Sequence, residues 1–254
     1  LLTPQYYTYC MFCTDDKHPN DLLEKGHIDY IVRRAIKAGV DPIIAVKCAS
    51  HHAARYFLLN NRGAIAPGFL ADFVVIDNFD DFNILEVYKK GKLMFDGKTV
   101  TPFEAPEIDP HLVKRSHETF HVAHLEATDF IESRPRAELG MVPGEIVTTD
   151  AGYAEKISVE DDILKIAVIE RHKNTHHIGL GYIKGYGLKS GAVATSISHD
   201  SHNIIVVGAH EEDMAAAVNR VVELGGGIVL MDDGKVLGEL QLQIAGIMSE
   251  APLI

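Results

Sequence analysis

Tryptophan, cysteine pairs and long apolar runs are scarce or absent in this sequence. It contains no tryptophan and only three cysteines in 254 residues, and no apolar run approaches the roughly 18 residues that a membrane helix needs. An odd number of cysteines fits free thiols in a reducing compartment, so we predict a cytoplasmic protein with no membrane partner. Cys10 and Cys13 leave one alternative, half of a zinc or redox site, but no second pair follows them.

Basic residues are also scarce. The chain has 24 Lys and Arg against 36 Asp and Glu, a formal net charge of −12. Because nucleic-acid binding depends on clustered basic residues, we predict no nucleic-acid partner. There is no initiator methionine, and the first residues lack the basic and apolar regions of a signal peptide. We therefore expect a piece of a longer protein.

Local patterns divide the chain into four segments. Residues 1–59 pair a short β-prone stretch at Tyr9–Thr14 with helical periodicity. Residues 60–100 contain short strands and tight turns, which predict a small β-module. Residues 101–118 are rich in proline and charge and predict a linker. Residues 119–254 alternate strands with only one or two helices, which predicts an α+β domain.

Individual elements follow from apolar spacing and from capping residues. We predict one helix from Asn20 or Asp21 to just before Gly39, and another that begins at Asp41-Pro42. The glycine-rich stretch 179–191 is interpreted as tight turns. The remaining predicted elements are a buried strand at Phe73–Ile76, a hairpin turn at Lys90-Gly91, strands at Ile163–Ile169, Ala192–Ile197, Ile204–Val207 and Ile228–Met231, and an amphipathic helix at Glu211–Leu224.

Asp15 and Asp16 form the first candidate site. They directly follow the stretch Tyr9–Thr14, and a carboxylate at the carboxyl end of a barrel strand stands where barrel enzymes keep reactive groups. The alternative is that the pair caps the following helix and is otherwise solvated charge. His18 is near enough in sequence to contact the same substrate.

His199, Asp200 and His202 form the second candidate site, on a polar loop between two predicted strands. Such a loop can enclose a substrate, and His172 at the end of another strand could join it. The alternative is a loop whose polar side chains satisfy local backbone groups and bind nothing.

Several motifs resemble those of adenine deaminases of the amidohydrolase superfamily. Phe12–Pro19 and Glu24–Asp29 resemble the eighth strand of the barrel and the helix that follows it. Arg62–Asp77 is similar to the stretch that joins barrel to β-module across the superfamily. Further motifs resemble the extra C-terminal domain of adenine deaminases, at Ile169–His172, Gly179–Leu188, His199–Asn203, Met231–Lys235 and Ala245–Met248. The resemblance runs from Met11 to Ile254.

This resemblance implies a fold, a reaction and a cofactor. The fold is α/β and α+β: the last βα unit of a TIM-type barrel, a small β-module, and an α+β C-terminal domain. The reaction is hydrolytic deamination of adenine to hypoxanthine and ammonia, as in purine salvage. Asp15 would bind a metal and transfer a proton, with Asp16 assisting. The complete enzyme would be a homo-oligomer with two divalent metal ions, manganese or iron in preference to zinc.

The chain departs from the family pattern in one important respect. It contains no His-x-His pair, the motif that would supply metal ligands after the first barrel strand, and it offers only one candidate barrel strand. We therefore expect the isolated chain to be inactive. Two alternatives stay open: an inert module for ligand binding or assembly, or another amidohydrolase such as a dihydroorotase relative, which would leave the distal domain unexplained.

Overall fold

A computed structural model describes residues 2–104 and 106–251. The chain folds into two compact units, the first ending at Pro106 and the second beginning at Glu107. Ala105, within the predicted linker, and residues 252–254, at the end of the predicted C-terminal domain, lie outside the described residues. No described helix is both long enough and apolar enough to cross a bilayer.

The first unit begins with helices whose ends follow local signals. They are α1 (Pro19–Lys25), α2 (Ile28–Lys37), α3 (Pro42–Ala49) and α4 (His51–Tyr56). Asp41 caps α3 as predicted and accepts a hydrogen bond from the Ile44 N–H at 3.0 Å. The single helix predicted from Asn20 or Asp21 is wrong, because Gly26, with a φ of 91°, separates α1 from α2. A Cβ at Gly26 would also lie 2.6 Å from a neighbouring carboxylate oxygen, so the break requires glycine.

The stretch Tyr9–Thr14 does not form the predicted strand. A short 3-10 turn occupies Tyr7–Tyr9, and residues 10–14 form no regular secondary structure. The Phe12 N–H donates to the carbonyl of Cys48, in α3, at 2.9 Å. A strand is defined by the hydrogen bonds to its neighbours, and a single β-prone segment cannot supply a neighbour for itself.

The predicted β-module is a three-stranded antiparallel sheet. Its strands are β1 (Phe73–Ile76), β2 (Ile84–Lys89) and β3 (Lys92–Phe95), in that order across the sheet. The predicted turn at Lys90-Gly91 joins β2 to β3, and both of its residues have positive φ. The expectation that β1 is buried is wrong, since Val74 and Val75 are 47% and 36% exposed. This small sheet therefore leaves apolar side chains at its surface.

The second unit contains one eight-stranded sheet. Its strands are β4 (Arg136–Met141), β5 (Thr148–Ala154), β6 (Ile163–Ile169), β7 (Ile178–Lys184), β8 (Ala192–Thr195), β9 (Ile204–Gly208), β10 (Gly227–Asp232) and β11 (Lys235–Gln241). The order across the sheet is β11-β10-β8-β9-β6-β7-β4-β5. Neighbours are antiparallel except for β4 and β7, which are parallel.

Two helices accompany this sheet. Helix α5 (Pro110–His117) lies inside the segment predicted as a linker, where Asp109 caps it by accepting the His111 N–H at 2.9 Å. Helix α6 (Glu211–Glu223) matches the predicted amphipathic helix and packs on β8, β9 and β10. Its apolar face, including Met214, Val218 and Val221, is fully buried against the sheet. The second unit thus has a mixed α/β core of its own, which positions the loops at the strand ends.

Candidate functional site

Asp15 and Asp16 lie on an exposed turn in the first unit. Asp15 has a φ of 53°, in the left-handed region, and its Oδ1 accepts a hydrogen bond from the Asp16 N–H at 3.0 Å. His18, and not either aspartate, occupies the N-cap position of α1, where its side chain makes no capping hydrogen bond. Both carboxylates face solvent, where a ligand can reach them.

The residues around this turn fasten it to the adjacent helices. The Lys17 ammonium donates to the carbonyl of Gly26 and lies 5.1 Å from the centre of the Tyr30 ring. The Thr14 hydroxyl lies 3.3 Å from Nε2 of His27. His18 is exposed, close in sequence to Asp15. Lys17 and Thr14 therefore tie the turn to the start of α2, while Asp15 and His18 are exposed.

The loop 199–203 connects β8 to β9 in the second unit. The rings of His199 and His202 meet edge to face, with centroids 5.2 Å apart. The Asp200 carboxylate is fully exposed, and its Oδ1 lies 3.9 Å from Nδ1 of His199. His172, which follows β6, contacts this loop: its Nε2 lies 2.9 Å from the Ser201 carbonyl oxygen. A third histidine, from another segment, therefore lies against the loop that carries His199 and His202.

Two polar atoms of this loop are buried without a hydrogen-bond partner in the described part of the chain. They are Nδ1 of His202 and Oδ1 of Asn203. Of the local side-chain bonds that the alternative predicts, the described residues show the one from the Asn203 N–H to the Ser201 hydroxyl, at 3.3 Å. Buried polar groups are nearly always paired, so these two atoms mark a position where water or a ligand group is needed.

Comparisons with known proteins match both units. The family model described as "Adenine deaminase C-terminal domain" matches residues 144–254, and the "Amidohydrolase family" model matches residues 7–94. A protein named adenine deaminase from Kosmotoga olearia is 43% identical over 265 residues, covering 98% of this chain and 44% of its own length. Over nearly its whole length, this chain is similar to proteins named adenine deaminase.

Further relatives agree. The adenine deaminase of Desulfatibacillum aliphaticivorans is 43% identical over 261 residues and covers 100% of this chain and 45% of its own length. Adenine deaminase 1 of Agrobacterium fabrum is 40% identical over 265 residues and covers 99% and 44%. The chain thus spans less than half the length of these curated relatives.

Amidohydrolases generally use divalent metal ions, and the described residues of this chain do not supply a complete site for one. Across residues 2–104 and 106–251, no three or more His, Cys, Asp or Glu side chains are grouped so that they could hold a metal ion. A divalent ion prefers four or more ligands, so Asp15 with its immediate neighbours does not fit one.

Sequence reasoning missed Arg171, the residue that holds the histidine loop in place. Its guanidinium, in a residue 2% exposed, donates to the carbonyls of His202, Thr119 and Ala245 and lies 4.3 Å from the centre of the Phe120 ring. Burial lowers the pKa of Arg171. Its partners lie up to 74 residues away in sequence, so no local pattern could have identified this role.

Proposed function

We propose that this chain is part of an enzyme that deaminates adenine hydrolytically to hypoxanthine and ammonia, as purine salvage requires. One observation carries the proposal: an amidohydrolase match and an adenine-deaminase-specific match follow each other within one chain, in the order that the named relatives share. The distal match separates this reading from other amidohydrolases such as dihydroorotases, which the first match alone would permit.

Asp15 is the group to which we assign proton transfer. Its exposed carboxylate can accept a proton from the water that attacks C6 of adenine and return it to the departing amine nitrogen. Asp16 assists by holding Oδ1 of Asp15 through its N–H, at 3.0 Å. His18 is exposed three residues after Asp15, and we assign it to substrate contact.

Asp15 is also the one metal ligand that we propose in this chain, for one of two ions, manganese or iron rather than zinc. Because the described residues do not complete a metal site, the other ligands would come from the part of the relatives that this chain does not match. It follows that the chain alone should be inactive.

The loop 199–203, in the second unit, is the other region to which we assign substrate binding. His199, Asp200 and His202 offer both donors and acceptors, and a purine base presents both kinds of group along its edges. The unpartnered Nδ1 of His202 supports this assignment, because a buried ring nitrogen gains most from a ligand that pairs with it.

A hybrid enzyme tests these assignments. The part of the Kosmotoga olearia relative outside the matched region is fused ahead of this chain, supplied with Mn²⁺, and assayed for ammonia release from adenine. Asp15→Asn should lower kcat by about 10² to 10⁴, the usual contribution of a positioned acid–base group. His202→Ala should raise KM more than it lowers kcat. Asp80→Asn, at another exposed aspartate, serves as the control.

The outcomes separate the proposal from its alternative. An active hybrid in which Asp15→Asn retains full turnover would remove Asp15 from the chemistry. A folded, metal-loaded hybrid that binds adenine without releasing ammonia would favour an inert binding module instead. Ammonia release by the unfused chain, inhibited by a chelator, would show that the chain completes its own metal site.

A further inference from the structure

A turn at residues 244–248, called the glycine turn below, follows strand β11 in the second unit. Its two ends pair with each other: the Ile244 N–H donates to the Met248 carbonyl at 2.9 Å, and the Met248 N–H donates to the Ile244 carbonyl at 3.1 Å. Between them, Ala245 and Gly246 have φ values of 55° and 76°, both in the left-handed region. The carbonyls of Ala245 and Gly246 accept no hydrogen bond within the turn, and both are bonded by side chains from other segments.

Ser196 joins the glycine turn to the start of the segment that carries the histidines. It directly follows β8 and is 0% exposed. Its hydroxyl donates to the Gly246 carbonyl and accepts the Gly227 N–H at 2.8 Å. Because a hydroxyl has one proton to donate, these bonds use its donor and one of its acceptor positions. The segment between β8 and β9 therefore begins from a point that is fixed to the glycine turn.

Arg171 joins the same turn to the other end of that segment. Its Nη2 donates to the Ala245 carbonyl at 2.9 Å, and its Nε donates to the His202 carbonyl. The N–H groups of a guanidinium form a rigid fork, so the two carbonyls are held at a fixed spacing. The His202 N–H is also bonded, to the Ser198 carbonyl at 2.5 Å. With both backbone groups of His202 fixed, the direction in which its ring leaves the backbone is set.

Gly246 is the position at which this arrangement tolerates no side chain. A Cβ there would lie 2.7 Å from the Phe120 ring and 3.1 Å from Nη2 of Arg171. The guanidinium is itself packed on that ring, 4.3 Å from its centre. Any added group would have to displace the ring or the guanidinium, and a shift of the guanidinium would move the His202 carbonyl that it holds.

We infer that Ser196 and Gly246 are positioning residues for His202, and that the glycine turn controls the geometry of the loop 199–203. Ser196 fixes one end of the loop segment to the turn, and Arg171 fixes the other end to the same turn. The buried Nδ1 of His202 keeps its orientation only while both ties are made. The inference rests on the proposed function, since it takes the loop 199–203 to be the region that binds the substrate.

Heteronuclear NMR of the imidazole rings in the intact chain measures the surroundings of His202 without any substrate. Its signals are assigned by their loss in His202→Gln. Gly246→Ala and Ser196→Ala should each shift the His202 signals, while circular dichroism shows a folded chain. The signals of His52, whose Nδ1 lies 2.9 Å from the Cys10 carbonyl oxygen in the first unit, should not move.

Gly225→Ala is the matched control. Gly225 has a φ of 72°, close to that of Gly246, but a Cβ there would meet nothing within 4 Å. The control therefore carries the same backbone strain without the contact to Phe120 and Arg171, and we expect the His202 signals of the wild type. If Gly246→Ala does not fold, Ser196→Ala decides alone, because it adds no atom. Unchanged His202 signals in the folded variants would overturn the inference.

The hybrid enzyme separates this inference from the proposed function. Ser196→Ala and Gly246→Ala should each raise KM for adenine about tenfold and change kcat less than about twofold, the pattern expected when substrate binding alone is weakened. Shifted His202 signals with an unchanged KM would confirm the positioning and remove the loop from substrate binding. An inactive hybrid would count against the proposed deaminase, whereas the NMR result would still decide whether the glycine turn positions His202.

Discussion

The two units of this chain differ in how completely each buries its own apolar residues. In the second unit, fifteen buried residues form one cluster between α6 and the eight-stranded sheet. In the first unit the corresponding cluster has only three, Val32, Ala45 and Phe82. The first unit also carries four consecutive exposed apolar residues, Tyr56–Leu59, which are 46% to 76% exposed.

This difference in buried apolar residues predicts that the two units differ in stability. A domain that buries one contiguous core folds on its own, so we expect the second unit to unfold as a separate, more stable transition. The first unit carries the candidate catalytic turn on a small core, where few buried contacts oppose local opening. The same comparison can be sharpened by substitutions that act on one unit at a time.

The largest effect should come from Arg171→Met, which keeps the volume of the side chain and removes its donors. Three carbonyls would lose their partner, so we expect the second unit to lose about 4 kcal/mol of its unfolding free energy. Urea denaturation followed by circular dichroism measures this as an earlier second transition, with the first unchanged.

A matched control for this substitution is Arg134→Met, at a side chain that is 75% exposed. It should change the unfolding free energy by less than about 0.5 kcal/mol. If Arg171→Met shifts both transitions equally, the two units unfold as one, and the comparison between them fails.

Elements whose apolar pattern and end signals lie within their own residues could be predicted from the sequence. Ile163–Ile169 is a short apolar run and forms β6 with the predicted bounds. The predicted helix Glu211–Leu224 differs from α6 by one residue, because acidic residues begin it and three glycines follow it.

Elements that depend on distant partners could not be predicted. Strands β4 and β5 have few β-branched apolar residues and form through their hairpin and the parallel pairing of β4 with β7. β7 was misinterpreted as turns because of Gly179 and Gly181. A Cβ at Gly181 would lie 3.2 Å from the carbonyl oxygen of Ala137, so this glycine permits close packing of neighbouring strands.

The residues of the second unit also fall into those that the local sequence indicates and those that only folding brings together. The sequence indicated the loop 199–203 and the participation of His172, because polar residues between two apolar strands are visible locally. It did not indicate Arg171 or the Lys165–Glu211 pair, whose partners are brought together only by folding. The roles of Asp15, Asp16 and His18 remain predictions that the hybrid enzyme tests.

An intermediate effect should come from the same substitution made in both cores. Val218 is 0% exposed in the second unit and Val32 is 2% exposed in the first. Val218→Ala should cost the second unit about 2.5 kcal/mol, because its packed surroundings cannot fill the space that is lost. Val32→Ala should cost the first unit about 1.5 kcal/mol, the transfer term alone, because a core of three residues relaxes more easily.

The two variants are compared by urea denaturation, each against the transition of its own unit. Equal losses of unfolding free energy would mean that the small core is packed as tightly as the large one, which would contradict the comparison. A smaller loss for Val218→Ala than for Val32→Ala would mean that the small core is the more tightly packed of the two.

The smallest effect should be a dependence on pH that arises in the second unit. Hydrogen bonds from Arg136, Arg134 and Ser133 outweigh burial and lower the pKa of Glu132 to about 2, from 4.5. Because the folded pKa is depressed, Glu132 stabilises the fold fully above pH 4.5, and this contribution disappears as the pH falls toward 2. Glu132→Gln should lower the melting temperature of the second unit at pH 7, and the melting temperatures of the variant and the wild type should converge as the pH approaches 2.

Glu160→Gln, at an exposed glutamate with no hydrogen bond to a described residue, should follow the wild type at every pH. Parallel curves for Glu132→Gln and the wild type would show that packing alone, and not this ion pair, sets the acid stability of the larger unit.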